Sequence, residues 1–250
     1  MDYPLALYFV APLLVVLAYV VFGVTGFGSN IIIVPVLAHF LPIAFIVPLC
    51  LLLDIGATLL LRGHTRGVRD TAELRWLLPG ALIGMVSGGL VLALAPERWL
   101  MLVLGVFVAG YAVLSLTVLR SRRGTIGRLW GLPISLVGGV AASLFGAGGA
   151  VLSIYVSRRV HDAGRLRATM ATLVEISAWA RVVIFTVAGL LLKLALGLFA
   201  VALCPFMWVG LRLGARLHDH LNADQVRRVV NLLLIVSGLS LMARALTLPA

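Results

Sequence analysis

The ionisable residues deepest inside long apolar runs are Asp54 in the run 43–61, and Glu175 and Arg181 in the run 168–192. An acid at the centre of a membrane helix costs about 2.5–3.5 kcal/mol by insertion scales, so such a residue is usually turned inward and paired. Two uses are open to Asp54 and Glu175. They can carry a coupling proton beside an anion site, or they can serve as a structural ion pair or a protonated, hydrogen-bonded carboxyl. Arg181 is the only basic residue deep in its run. It can attract an anion or pair with Asp54. Glu175 and Arg181 are six residues apart, which does not align them on one helical face.

Two glycine clusters offer a second kind of chemistry. The first lies in Thr25-Gly26-Phe27-Gly28-Ser29-Asn30 and the second is Gly146-Ala147-Gly148-Gly149. Glycine costs about 1 kcal/mol relative to alanine inside a helix, so each cluster predicts a break. The helical piece after a break starts with unpaired backbone N–H groups and about half a positive charge from the macrodipole. Glycine lets an anion approach that backbone closely. The candidate binding residues are therefore Gly26, Gly28, Gly146, Gly148 and Gly149. Thr25, Ser29 and Asn30 add side-chain donors, and Arg181 adds charge. The competing reading is that the glycines only permit close helix packing. No βαβ unit supports a dinucleotide fingerprint.

The elements that hold these residues follow from composition. Of 250 residues, 62% are hydrophobic and 12% are charged, against about 25% charged in a soluble domain. Mean hydropathy is +1.14. A water-soluble domain, a disordered chain and a disulfide scaffold are excluded. The expected fold is an all-α polytopic membrane protein. Its two cysteines, Cys50 and Cys204, read as small buried hydrophobes. The N-terminus has no basic residue before its apolar run, so that run reads as a retained span. No HExxH or CxxC spacing supports zinc, and neither a metal nor another cofactor is expected. The net charge of +11 reads as topology rather than as a nucleic-acid footprint.

A membrane helix needs about 20 apolar residues. Eight apolar blocks result, at 5–40, 43–61, 76–95, 99–119, 129–157, 168–192, 196–215 and 229–246. The first and fifth are too long for one span, and both contain a glycine cluster. Fifteen of the 20 Lys+Arg lie in four loops or their edges, at 62–75, 120–128, 158–167 and 216–228. If block 129–157 enters the membrane and returns, all four loops are cytoplasmic, as the positive-inside rule requires. The same path for block 5–40 places the N-terminus outside. The expectation is about ten membrane segments in two inverted five-segment repeats, 1–122 and 123–250. The alternative is eight spans in two four-span repeats. Gly26–Ile31 and Gly146–Val151 match at an offset of 120, Leu53-Asp54-Ile55 matches Val174-Glu175-Ile176 at 121, and Pro79/Gly84/Gly88 match Pro205/Gly210/Gly214 at 126. The ridges Gly80/Gly84/Gly88 and Gly210/Gly214 predict close helix contacts, within the fold or across a homodimer. Inverted-repeat transporters place substrate near the midplane at broken helices.

The motifs FGVTGFGSNIIIVPVL at 22–37 and SLFGAGGAVLSIYV at 143–156 resemble the repeated motif of the sulfite exporter TauE/SafE family, also called the toluene sulfonate uptake permease family. The stretches 77–108 and 203–241 are similar to the family's following helices. The second copy departs from the first in one respect, because Tyr155 stands where the first has Pro35. The resemblance implies a multi-pass permease of the bacterial inner membrane, not an enzyme. Its expected partners are the bilayer and a small anion such as sulfite or an organosulfonate, with no nucleic acid. Alternating access with proton coupling is the expected mechanism. An anion channel and a non-transporting membrane partner are the alternatives.

Overall fold

The computed structural model describes residues 5–25, 28–61, 70–117, 127–217 and 223–247. These form ten α-helices in chain order: α1 (Leu5–Thr25), α2 (Ser29–Leu37), α3 (Ile43–Leu61), α4 (Thr71–Leu94), α5 (Glu97–Thr117), α6 (Gly131–Phe145), α7 (Gly148–Arg159), α8 (Ala163–Val187), α9 (Leu194–Leu217) and α10 (Ala223–Thr247). A 3₁₀ turn, Arg128–Trp130, leads into α6. No strand occurs among the described residues. Seven of the helices are long and apolar enough to cross a membrane: α1, α3, α4, α5, α6 with its 3₁₀ turn, α8 and α9. By contrast α2 has 9 residues and α7 has 12. At about 1.5 Å per residue neither spans a 30 Å hydrocarbon core.

Both overlong blocks divide at their glycines. Gly28 precedes α2 with φ +97° and Gly146 ends α6 with φ +67°, backbone that only glycine adopts without strain. Past Gly146 the chain turns back on itself. A Cβ on Gly138 would touch Leu152, and one on Gly148 would touch Ala142. So α7 runs antiparallel along α6, and block 129–157 returns toward the side it came from.

The small-residue ridges set the helix pairing. On α4, a Cβ on Gly80, Gly84 or Gly88 would run into Ser135, the Leu136 carbonyl or the Val140 carbonyl of α6. On α9, a Cβ on Gly210 or Gly214 would overlap the carbonyls of Val16 and Val20 on α1. In both pairs the contacts advance in the same direction, so the helices run parallel. α5 and α10 instead cross antiparallel, Gly105 lying against Gly238 and Met242, and Gly238 against Ala109. Of the two places open to these ridges, contact within the fold is therefore the one observed. Lengthening a side chain there has a large cost, since overpacking a tight contact costs about 1–3 kcal/mol or more. Gly84→Leu is expected to lower the thermal unfolding midpoint in detergent by several degrees, whereas Gly110→Ala, with no atom within 4 Å of the new Cβ, should leave it unchanged or raise it.

Large apolar side chains point outward along the helices, among them Phe9, Leu13, Ile83, Val183, Val187 and Val201. This face is solvated by lipid. It also corrects the reading of one cysteine. Cys50 is buried as expected, but Cys204 is exposed. It sits on the outer side of α9, where lipid accepts a thiol as it accepts any small apolar group. Six of the 20 Lys+Arg, at 62–69 and 118–126, lie outside the described residues.

Candidate functional site

Asp54 lies near the middle of α3 and is 3% exposed. Its carboxylate is held by three donors, one from α1 and two from the first turn of α2. Tyr19 Oη of α1 donates to Oδ1 at 2.9 Å and Ser29 Oγ of α2 donates to the same oxygen at 3.1 Å. Asn30 Nδ2 donates to Oδ2 at 2.7 Å. Asn30 Nδ2 also reaches the Gly146 carbonyl at 3.3 Å, so one carboxamide ties the first break to the second. Gly146 is required twice over: by its positive φ, and because a Cβ would overlap the Asn30 side chain.

Arg181 comes from α8 and is also 3% exposed. Its Nε donates to the Ser177 carbonyl at 3.3 Å and its Nη1 to the Ala142 carbonyl at 3.1 Å. Nη2 has no hydrogen-bond partner among the described residues. No carboxylate lies within 4 Å of the guanidinium there either, so Arg181 and Asp54 share the site without a direct ion pair. A carbonyl-tethered fork with one free edge is an oriented donor for an oxyanion.

These groups border one small cavity of about 20 Å³, room for about one water molecule. Gly28, Ser29 and Asn30 line it from the start of α2. Gly146, Gly148 and Gly149 line it from the start of α7, and Asp54, Ser177 and Arg181 complete it. Neither helix start has a side-chain cap, so backbone N–H groups of both are left for a ligand or water to satisfy. Two positive helix ends, a buried guanidinium and a carboxylate bordering one cavity make a site that can take an anion together with a proton.

Two sequence candidates lie outside what is described: Gly26, and the side chain of Thr25. Glu175 is not brought to the cavity. It lines a separate narrow space with Ile55, Thr58 and Trp179. The reason is helical phase. Val174, Ser177 and Arg181 fall at i, i+3 and i+7 and share the face that meets the cavity, and Glu175 points about 100° away from Val174. Asp54 and Glu175 thus match in sequence but not in surroundings. Tyr19 and Ser177 were not among the sequence candidates. The signal for Tyr19 was available, because a buried phenol needs a partner for its hydroxyl.

The model of the sulfite exporter TauE/SafE family matches residues 11–241. The chain belongs to the sulfite exporter TauE/SafE family. It is similar to the probable inner membrane transporter protein TsaS of Comamonas testosteroni, with 28% identity over 201 residues covering 77% of this chain and 81% of that one. No solved structure matches it. A TauE/SafE member is a multi-pass membrane transporter and not an enzyme. In this TauE/SafE protein both family motifs meet at the cavity, through Gly28–Asn30 and Gly146–Gly149.

Tyr19 gives a test of that geometry. Tyr19→Phe deletes one of three donors to the Asp54 carboxylate, and a hydrogen bond to a charged group contributes about 1.5–3 kcal/mol. Flux measured in proteoliposomes is expected to fall about tenfold or more with folding retained. Equal flux in the two proteins would show that this bond plays no part in transport.

Proposed function

We propose that the protein carries a small oxyanion, sulfite or the head group of an organosulfonate, across the bacterial inner membrane by alternating access. The observation that carries this reading is the meeting of two uncapped helix starts and the free edge of Arg181 at one buried cavity. Helix starts bring oriented N–H donors and positive potential without a mobile counterion, and Arg181 matches the paired oxygens of a sulfite or sulfonate. Asp54, which borders the same cavity beside Ser29 and Asn30, carries the coupling proton.

The path is built from two five-helix halves, α1–α5 and α6–α10, related by a two-fold axis in the membrane plane. Exchange of halves turns the α4/α6 pair into the α9/α1 pair, and both are glycine-lined and parallel. It turns the α5/α10 pair into itself, and that pair is antiparallel, as an in-plane axis requires. The short link at 95–96 makes α5 run opposite to α4, and α10 runs opposite to α5. If α9 in turn runs opposite to α10, the two halves enter the membrane in opposite senses. That arrangement supports ten membrane segments, with α2 and α7 as the returning half-helices.

The cavity as it stands has room for about one water molecule, so it must widen to take the anion, as alternating access requires. Reconstituted protein is expected to accumulate labelled sulfite or a small sulfonate inside vesicles when a proton gradient is imposed. Absence of flux across a broad anion panel would remove the substrate class. Conductance at channel rates without proton coupling would replace the carrier with a pore.

A further inference from the structure

One buried charge cluster lies away from the cavity. Glu73, in the first turn of α4, is 5% exposed. Its Oε1 accepts from Arg159 Nη2 at 2.8 Å and from Arg159 Nε at 3.1 Å, a two-pronged ion pair. Its Oε2 accepts from the fully buried Tyr155 at 3.0 Å. Arg159 is the last residue of α7 and Tyr155 lies one turn before it. The 3₁₀ turn before α6 joins the same cluster, because Trp76 Nε1 donates to the Arg128 carbonyl at 2.8 Å and the Arg128 guanidinium lies 5.0 Å from the centre of the Trp76 ring. The starts of α4 and α8 are also tied, Asp70 N–H donating to Thr169 Oγ1 at 3.0 Å.

This cluster is continuous with the cavity. Leu152 and Leu173 line the cavity, and both belong to a buried apolar cluster that runs on through Tyr155, Val156, Met170 and Leu77 to Leu74, next to Glu73. The order along this path is therefore cavity, apolar plug, ion pair. The 12-residue helix α7 spans it, with Gly148 and Gly149 at the cavity and Arg159 in the ion pair. Arg158, Arg159 and Arg165 belong to a basic loop, the cytoplasmic side by the positive-inside rule.

We propose that Glu73, Arg159 and Tyr155 form the cytoplasmic gate, a latch that holds the far end of α7 and keeps the cavity closed to the cytoplasm. The inference rests on the alternating-access reading. Opening toward the cytoplasm requires α7 to swing away from α4, which breaks the ion pair and parts the Leu152/Leu173 plug. The three are positioning residues. They touch no substrate and act by setting where the N-terminus of α7 sits. The other half ties its returning helix differently. Beyond α2, His39 is hydrogen-bonded to Ser240 Oγ of α10 at 2.8 Å, and Arg244 donates to the His39 carbonyl.

The test reads access rather than flux, so it stands apart from the identity of the substrate. A single cysteine at Leu152→Cys, in a background carrying Cys50→Ala and Cys204→Ala, is labelled by a membrane-impermeant maleimide from the cytoplasmic face in inside-out vesicles. Glu73→Gln is expected to raise the labelling rate at least tenfold from that face and leave the outer face unchanged. The exchange of charges, Glu73→Arg with Arg159→Glu, should bring the rate back toward the parent. Ser240→Ala, at the other end, should not change it. If Glu73→Gln does not fold, Tyr155→Phe, which removes the hydroxyl's contacts with Glu73 Oε2 and, at 3.4 Å, with the Arg128 carbonyl and keeps the ion pair, is expected to give a several-fold rise. An unchanged cytoplasmic rate in a folded Glu73 or Tyr155 variant overturns the gate. Loss of all anion flux with the labelling pattern intact overturns the transport reading and not the latch.

Discussion

Arg181→Gln is expected to lower oxyanion flux about 100-fold while the protein still folds. The reasoning starts from what the guanidinium touches. Its two tethering bonds go to helix carbonyls, and the Ala142 carbonyl also accepts from the Gly146 N–H at 2.9 Å. Removing the fork therefore leaves no orphaned acceptor there, and the stability cost stays near the roughly 1 kcal/mol of ordinary hydrogen bonds. The loss to the substrate is larger. A hydrogen bond to a charged group contributes about 1.5–3 kcal/mol, and about 1.4 kcal/mol is a factor of ten. An anion at the cavity loses both such a bond and the fixed positive charge. Arg181→Lys keeps the charge and loses the planar fork, so an intermediate fall of about tenfold is expected. The measurement is initial uptake against substrate concentration in proteoliposomes, beside thermal unfolding of the same preparations. Uptake unchanged in a folded Arg181→Gln protein would leave the anion site without its cation and would return the glycines to a packing role.

The sequence made some of this legible and concealed the rest for identifiable reasons. The breaks at Gly28 and Gly146 could be read because they depend on local backbone preference, which is a property of a few neighbouring residues. Asp54 and Arg181 could be read because a charge in an apolar run is conspicuous on its own. Partners could not be read. Asn30 bonds Gly146 across 116 residues and Arg159 bonds Glu73 across 86, and nothing local announces either contact. The ridge Gly80/Gly84/Gly88 announced a close neighbour without naming it, since the neighbour is set by the facing carbonyls of α6. Glu175 illustrates the opposite hazard. Its sequence match to Asp54 was real, but one position on a helix is about 100° of rotation. Val174 holds the cavity-facing place and Glu175 does not. The Glu73–Arg159 latch was hidden among loop-edge charges that the positive-inside rule explains collectively, so no single one stood out.

Asp54→Asn separates the two parts of the mechanism. Asparagine has the shape of the carboxylate, with one oxygen and one NH₂. Its oxygen can face Asn30 Nδ2, as Oδ2 of Asp54 does now. Its NH₂ can face Tyr19 and Ser29, whose hydroxyls rotate from donor to acceptor. The network can be rebuilt, so the variant should fold, and the cavity keeps its helix starts and Arg181. What it loses is the ability to take up or release a proton. Exchange of labelled for unlabelled anion should therefore persist, while accumulation driven by a pH gradient should collapse to the equilibrium level. Asp54→Ala differs because it removes the shared acceptor of three buried donors: Asn30 and Ser29 keep longer contacts, to the Gly146 carbonyl and Asn30 Oδ1, but the Tyr19 hydroxyl is orphaned at about 1–3 kcal/mol, so its unfolding midpoint should fall as well. Glu175→Gln, away from the cavity, should keep gradient-driven accumulation. If Asp54→Asn accumulates anion against a gradient as well as the parent does, then the proton does not travel on Asp54. The carboxylate would then serve to hold Tyr19, Ser29 and Asn30 in place, and through Asn30 to fix the two breaks against each other.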